Sequence, residues 1–346
     1  MESICEKLVA WYRLEGRDLP WRATRDAYRI WLSEVILQQT RVEQGLRYYH
    51  NFVHQFPRVE LLASASEDQV LKLWQGLGYY SRARNLHAAA RQIVTQFAGH
   101  FPSTYDEVRS LKGVGDYTAA AICAFAYDLR CAVVDGNVYR VLSRLYDLEQ
   151  PIDSAQGKKL FRQIALDTMH TAQPSVYNQA IMDFGALVCT PQNPRCDACP
   201  LSEQCLAYAQ AHVALRPVKQ QKTKVRSRWF SFLDLRKGNE RVLVRRAEKD
   251  IWQGLYEFPL IEHDGEVDFL RLAATDDFKV WVGTNWHLMR SVRLKPHRLS
   301  HQLLHAVVYE IEVERWTVLG RKHLVGEDDF DQYCVPRLLE LYLQDS

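Results

Sequence analysis

The sequence carries almost no excess of charge: 44 Lys and Arg stand against 42 Asp and Glu, a formal net of +2 over 346 residues. On totals alone this excludes a polybasic nucleic-acid binder. Long hydrophobic runs are missing as well. The longest low-polarity stretch, Tyr117–Tyr127, is too short to span a bilayer, so no membrane partner is expected. The opening MESICEKLVAWYR lacks the charged-then-apolar layout of a secretory signal. Internal repeats and low-complexity tracts are absent, which removes solenoids and disordered tails. At 47% hydrophobic and 25% charged, the rest is ordinary soluble globular protein, long enough for two domains.

What is present is unevenly distributed. Residues 1–205 hold 22 basic and 22 acidic side chains, whereas residues 206–249 hold 12 basic and three acidic. Six of those cations fall in Arg216–Arg228 without one carboxylate. That stretch reads as an exposed connector, either a solvated linker or a segment suited to a phosphate backbone. Four of the eight cysteines are scattered: Cys5, Cys123, Cys131 and Cys334. The other four, Cys189, Cys196, Cys199 and Cys205, follow a C-x6-C-x2-C-x5-C spacing. In a reducing compartment such clustering means metal. Only one pair has the short knuckle typical of zinc, and unequal loops suit an iron–sulfur cluster better; both stay open on spacing, and either would be structural.

Helical spacing of apolar residues dominates up to about residue 205, as in Val138, Val141, Leu142 and Leu145. Beyond the connector, strand-like runs appear at Trp229–Leu235, Arg241–Arg245, Trp286–Leu294 and Leu303–Val313, before a closing helix over Val335–Leu343. An all-α domain over 1–207, a connector over 208–228 and a smaller α+β domain over 229–346 are expected.

Three further patterns carry chemistry. In LKGVG, Gly113 and Gly115 allow a tight hairpin whose helix N-terminus offers backbone N–H groups to a phosphate; an ordinary interhelix turn would look the same. In VVDGNV, Asp135 ends an apolar segment just before a helix, where capping is the common task. In LSEVILQQT, Glu34 sits on a strongly apolar helix. Burial there would raise its pKa toward that of a general acid, whereas a place on a solvent stripe would leave it ordinary.

Taken together and in this order, Glu34, LKGVG, Asp135 and the four cysteines resemble the helix-hairpin-helix DNA glycosylases with an iron–sulfur cluster. Endonuclease III-like members carry a Schiff-base lysine two residues after the second hairpin glycine; here that position is Tyr117. Tyr117, the tandem Gln38-Gln39, LPWR over 19–22 and GLGYY over 76–80 look like the MutY adenine DNA glycosylases. WQGLYEFP over 252–259 is similar to the start of their Nudix-like C-terminal domain. A Nudix hydrolase's run of glutamates is missing from residues 254–280, which argues against pyrophosphate hydrolysis. The family's Phe-Ser-His turn stands here as Leu299-Ser300-His301.

The resemblance implies one 4Fe–4S cluster on Cys189, Cys196, Cys199 and Cys205, in a loop over 189–205. It implies removal of adenine opposite 8-oxoguanine or guanine in double-stranded DNA. Glu34 would be the acid and Asp135 the stabiliser of the sugar cation, with Tyr117 and Asn137 orienting them. Trp21, Arg22 and Gln179 would line the pocket for the extruded adenine. Gln39, Leu77, Tyr79, Gly113 and Gly115 would contact DNA, and Ser300 and His301 would read 8-oxoguanine. A monofunctional, monomeric enzyme in a bacterial cytoplasm, associated with the nucleoid through DNA, is expected.

Overall fold

A computed structural model describes residues 3–220, 225–247 and 249–345. The chain divides into two compact units, Met1–Ser64 with Asn85–Lys222 and Ala65–Arg84 with Thr223–Ser346.

The described part of the first unit is helical. Helix α1 (Ile4–Glu15) starts in a capping box: the Glu6 N–H donates to Ser3 Oγ and the Ser3 N–H to the Glu6 carboxylate. Helix α2 (Ala27–Leu37), capped by Asp26, buries nine of its 11 residues. A helix apolar on every side belongs inside a bundle, so Glu34 has no solvent stripe to occupy. The hairpin joins α3 (Tyr105–Ser110) to α4 (Asp116–Tyr127). Gly113 turns it at φ +77°, and a Cβ there would lie 2.6 Å from that of Asn85. Helix α4 is rich in buried alanine, at 119, 120, 121, 124 and 126, and packs closely on α2. Helices α5 (Gly136–Leu145), α6 (Ala155–Met169) and α7 (Pro174–Leu187) close a core with α1 around Leu8, Leu142, Phe161, Tyr177 and Phe184.

The second unit is built on a mixed sheet. Two 12-residue strands, β1 (Arg226–Lys237) and β8 (Gln302–Val313), run parallel from Arg226↔Gln302 to Arg236↔Glu312. Around them lie β2 (Glu240–Val242), β5 (Leu260–His263), β6 (Trp286–Arg293), β7 (His297–Arg298) and β9 (Leu324–Gly326). The expected strand Arg241–Arg245 is divided at Leu243: β2 pairs β9, whereas β3 (Val244–Arg245) pairs β4 (Tyr256–Glu257). Leu233, Leu235, Ile261, Tyr309 and Ile311 pack with Leu272 of α8 (Phe269–Ala274) and with Phe278 and Val282 of α9 (Asp276–Val282). Helix α10 (Arg337–Gln344) buries Leu338, Leu339 and Tyr342.

The early segment Ala65–Arg84 groups with this unit through specific ties. Lys72 Nζ donates to the Tyr333 carbonyl at 3.2 Å, Cys334 Sγ to that of Leu71 at 3.1 Å, and Arg245 pairs with Glu67 at 2.9 Å. Among the described residues no helix is long and apolar enough to cross a membrane.

The cationic stretch Arg216–Arg228 corrects the expectation of a uniformly exposed connector. Arg216 is 6% exposed and bonded to Asp147 and Glu149, each at 2.9 Å. Arg228 is 7% exposed, within β1, and held by Asp250 and Glu262. Their carboxylate partners lie elsewhere in the chain, so a local count of charge cannot reveal them. Lys219 and Arg226 are exposed, while Lys222 and Lys224 lie outside the described residues.

Candidate active site and cluster loop

One cleft of the first unit, about 920 Å³, brings together Glu34, Tyr117, Asp135 and Asn137. Trp21, Arg22, Gln39, Gly113, Gly115 and Gln179 line the same cleft. These residues come from segments as far apart as the LPWR turn and α7, so the fold assembles what the sequence scatters.

The two carboxylates differ in environment. Glu34 is 7% exposed on α2. Burial pushes its pKa up to about 7, a hydrogen bond from the Tyr117 hydroxyl opposes the rise, and the nearby Asp135 charge adds to it. Asp135 caps α5, accepting from the Val138 N–H at 2.8 Å and from Asn137 Nδ2 at 2.7 Å. Burial raises its carboxyl as well, but those hydrogen bonds and the charge of Arg140 pull the other way. Capping and a place in the cleft are thus compatible tasks for one side chain.

Asp183 is an unforeseen part of this site. It is fully buried on α7 and receives Arg22 through two bonds of 2.7 Å and Arg17 through its backbone N–H and guanidinium. Burial alone would raise its carboxyl; Arg22 and Arg17 more than reverse that. Arg22 is therefore a fixed wall of the cleft. Trp21 is fixed by edge-on contact with Tyr49 at 5.2 Å, and Gln179 accepts from the Tyr12 hydroxyl at 2.7 Å.

A second unforeseen residue is Arg140. It donates to Asn137 Oδ1 (2.9 Å), the Gly185 carbonyl (2.7 Å) and the Cys189 carbonyl (2.6 Å). A Cβ on Gly185 would lie 2.7 Å from that of Asn137, so this close approach of α5 and α7 needs glycine. One turn on, Arg144 reaches Cys189 Sγ at 3.4 Å and the Thr190 carbonyl at 2.7 Å. Two buried arginines four residues apart, inside the stripe Val138, Val141, Leu142 and Leu145, are the signal that could have found them.

Cys189, Cys196, Cys199 and Cys205 line one pocket with Arg144, Val188, Pro194 and Val213. Burial raises the Cys196, Cys199 and Cys205 thiols, so thiolates stand together here only with a metal's positive charge among them. Among the described residues no group of three or more His, Cys, Asp or Glu is placed to hold a metal ion. The four cysteines nonetheless line one small space, and an all-cysteine lining suits an iron–sulfur group.

The remaining expected residues lie in the second unit. Leu77 is 6% exposed, whereas Tyr79 is 46% exposed at φ +49°, with the Arg82 guanidinium 5.5 Å from its ring. Ser300 and His301 form the exposed tip of the β7–β8 hairpin, closed by the Leu299 N–H donating to the Gln302 carbonyl at 2.8 Å. The His301 carbonyl accepts from the Arg226 N–H at 3.0 Å, which ties the tip to β1.

Comparison with known proteins agrees with this architecture. Residues 32–165 match the family described as HhH-GPD superfamily base excision DNA repair protein. Residues 189–205 match the iron–sulfur binding domain of endonuclease III, and residues 231–345 match the NUDIX domain. The adenine DNA glycosylase of Buchnera aphidicola subsp. Baizongia pistaciae is 33% identical over 318 residues, 91% of this chain and 86% of the relative. The human adenine DNA glycosylase is 33% identical over 366 residues, 90% of this chain and 67% of the relative. Among solved structures, a thermostable thymine-DNA glycosylase covers 60% of this chain and 95% of its own, with a TM-score of 0.56 and 27% identity. A non-covalent endonuclease III–DNA complex, at 18% identity and a TM-score of 0.53, covers 60% of this chain and 94% of its own and shows the shared fold. With family matches over residues 32–165, 189–205 and 231–345 and a relative aligned over 91% of this chain's length, the chain belongs to the family of adenine DNA glycosylases.

Proposed function

We propose that the chain excises adenine mispaired with 8-oxoguanine or guanine in double-stranded DNA, acting as a monomer in a bacterial cytoplasm. The observation that carries this reading is Glu34, a buried acid poised at about 7 beside Tyr117 and in one cleft with Asp135. Breaking an N-glycosidic bond needs a better leaving group and a stabilised oxocarbenium-like sugar, and two carboxyl groups divide that work. Protonated Glu34 donates to N7 of adenine. Ionised Asp135, held by Asn137, faces the developing cation at C1′, and water completes hydrolysis to an abasic site.

Neither acid reaches a stacked base, so the adenine leaves the helix first and enters the space beside Trp21, Arg22 and Gln179. Gly113 and Gly115 place the α4 N-terminus toward a phosphate, Gln39, Leu77 and Tyr79 contact the opened duplex, and Ser300 and His301 read 8-oxoguanine. The unequal loops between the four cysteines and the match of residues 189–205 to an iron–sulfur binding domain favour a 4Fe–4S cluster over zinc. The cluster, when bound, holds the loop after α7 in shape. Arg140 and Arg144 grip that loop from α5.

The test is excision from matched duplexes with adenine opposite 8-oxoguanine, guanine or cytosine, with a thymine-glycol duplex as rival. Alkali-labile sites with little direct nicking, on the first two duplexes, are expected. Efficient borohydride trapping of an amine adduct would move the chain to the lyase branch.

A further inference from the structure

We infer that Gln302 and Arg228 are positioning residues that set the polarity of the Ser300–His301 tip, so that the Ser300 hydroxyl faces the opposing base as a hydrogen-bond donor. This rests on the reading of that tip as the 8-oxoguanine contact.

The chain of contacts begins in the interior. Arg228 is held by Glu262 (2.6 Å at Oε1) and by both oxygens of Asp250 (3.1 and 2.7 Å), with the Phe230 ring 4.9 Å from its guanidinium carbon. Its Nη1 donates to Gln302 Oε1 at 3.2 Å. A guanidinium has no acceptor, so the Gln302 amide has one permitted orientation: oxygen toward Arg228, nitrogen outward. Gln302 is 9% exposed and cannot turn freely.

That outward nitrogen lies 3.2 Å from His301 Nε2. An amide NH2 only donates, so Nε2 accepts and the neutral ring carries its proton on Nδ1. Nδ1 lies 3.0 Å from Ser300 Oγ and donates to it. The serine oxygen is thereby engaged as an acceptor, and its own hydrogen is left for a ligand. The complementary ligand is a carbonyl oxygen. 8-Oxoguanine presents one at C8, where guanine has C–H. A donor fixed in advance costs less ordering on binding than a freely rotating hydroxyl.

The experiment uses the full chain labelled with 15N-histidine, His301 being assigned by its loss in His301→Asn. Long-range 1H–15N spectra report the tautomer, and binding to duplexes carrying a non-hydrolysable adenine analogue opposite 8-oxoguanine or guanine reports the preference. Wild type should show the Nδ1–H form. In Gln302→Glu the carboxylate accepts, the ring shifts to Nε2–H, and Nδ1 takes the Ser300 hydrogen. The ratio of affinities for the two duplexes should then fall about tenfold, roughly one good hydrogen bond. Gln302→Leu, which adds no charge at a buried place, should lower the ratio in the same direction. A wild-type Nε2–H ring, or an unchanged ratio in both Gln302 variants, would overturn the relay. If Ser300→Ala and His301→Asn also leave the ratio unchanged, the reading of the tip itself fails; a loss in those two with none at Gln302 sinks the relay alone.

Discussion

The cleft of the first unit and the sheet of the second both bury carboxylates, with opposite results. Glu34 has a tyrosine hydroxyl and a second acid for neighbours, and its proton is loosely poised at about 7. Beside the sheet, partial burial would raise Asp250, yet hydrogen bonds from Arg228, the Ile251 N–H and Arg246 hold it at about 2. Glu310 sits below the ordinary range in the same manner, held by the Tyr342 hydroxyl and Arg290. Burial alone therefore distinguishes nothing. Arg22 acts on Glu34 only through its charge, whereas Asp250 and Glu310 accept hydrogen bonds from guanidinium groups directly, and that separates a group that can hand over a proton from one that holds strands together.

The largest effect that would sharpen this contrast is on excision. Glu34→Gln should keep duplex binding and lose about 10²–10⁴-fold in single-turnover rate. A near-normal rate would remove the acid from Glu34. On the sheet side, Arg228→Met strips half-buried Asp250 and exposed Glu262 of the guanidinium they share, while Arg246 still holds Asp250, and should cost about 1–3 kcal/mol in denaturant unfolding. A loss of excision with unchanged stability would break the comparison.

The third expectation concerns pH. Glu34 has its folded pKa raised from 4.5 to about 7. Its contribution to stability is complete below the unfolded value and is lost as pH rises through about 7, roughly 3 kcal/mol in all. Excision falls next, as pH rises past about 7 and folded Glu34 loses the proton it would donate. Asp250 behaves oppositely, its contribution being lost only as pH falls through about 2. Urea unfolding from pH 4 to 9 should show the first slope in wild type and not in Glu34→Gln. Tyr117→Phe removes the bond that lowers the Glu34 pKa, so the alkaline limb of the rate should move upward.

The smallest effect is on salt dependence. Lys219→Ala should flatten log K against log salt by about 0.9 if that exposed lysine meets a phosphate. Arg216→Ala should lower stability and leave the slope alone, since its charge is already committed to Asp147 and Glu149. A change of slope at Arg216 would show that those pairs open on DNA.

What could be read in the sequence was what is local. The cysteine spacing, the glycine hairpin, an acid inside an apolar helix and an aspartate at a helix start are each set by neighbours a few residues away. What could not be read depends on partners far along the chain. Asp183 meets Arg17 across 166 residues, and Arg140 meets Cys189 across 49. Residues 65–84 join the sheet unit through Leu71, Lys72 and Glu67, which look like any other helical surface until Cys334, Tyr333 and Arg245 arrive. The same limit made Arg216 and Arg228 look like free cations.

The alanines of α4 acquire a meaning that none of them has singly. They keep α4 thin enough to be buried on most of its sides, while its first turn still carries Tyr117 into the cleft. Tolerance for an O–H···O bond is a few tenths of an ångström, while a branched side chain in a close-packed helix displaces its neighbours by more. A change such as Ala120→Val would leave every group that meets DNA intact and the iron loop in place. The expected result is a chain that still binds duplex DNA and excises slowly.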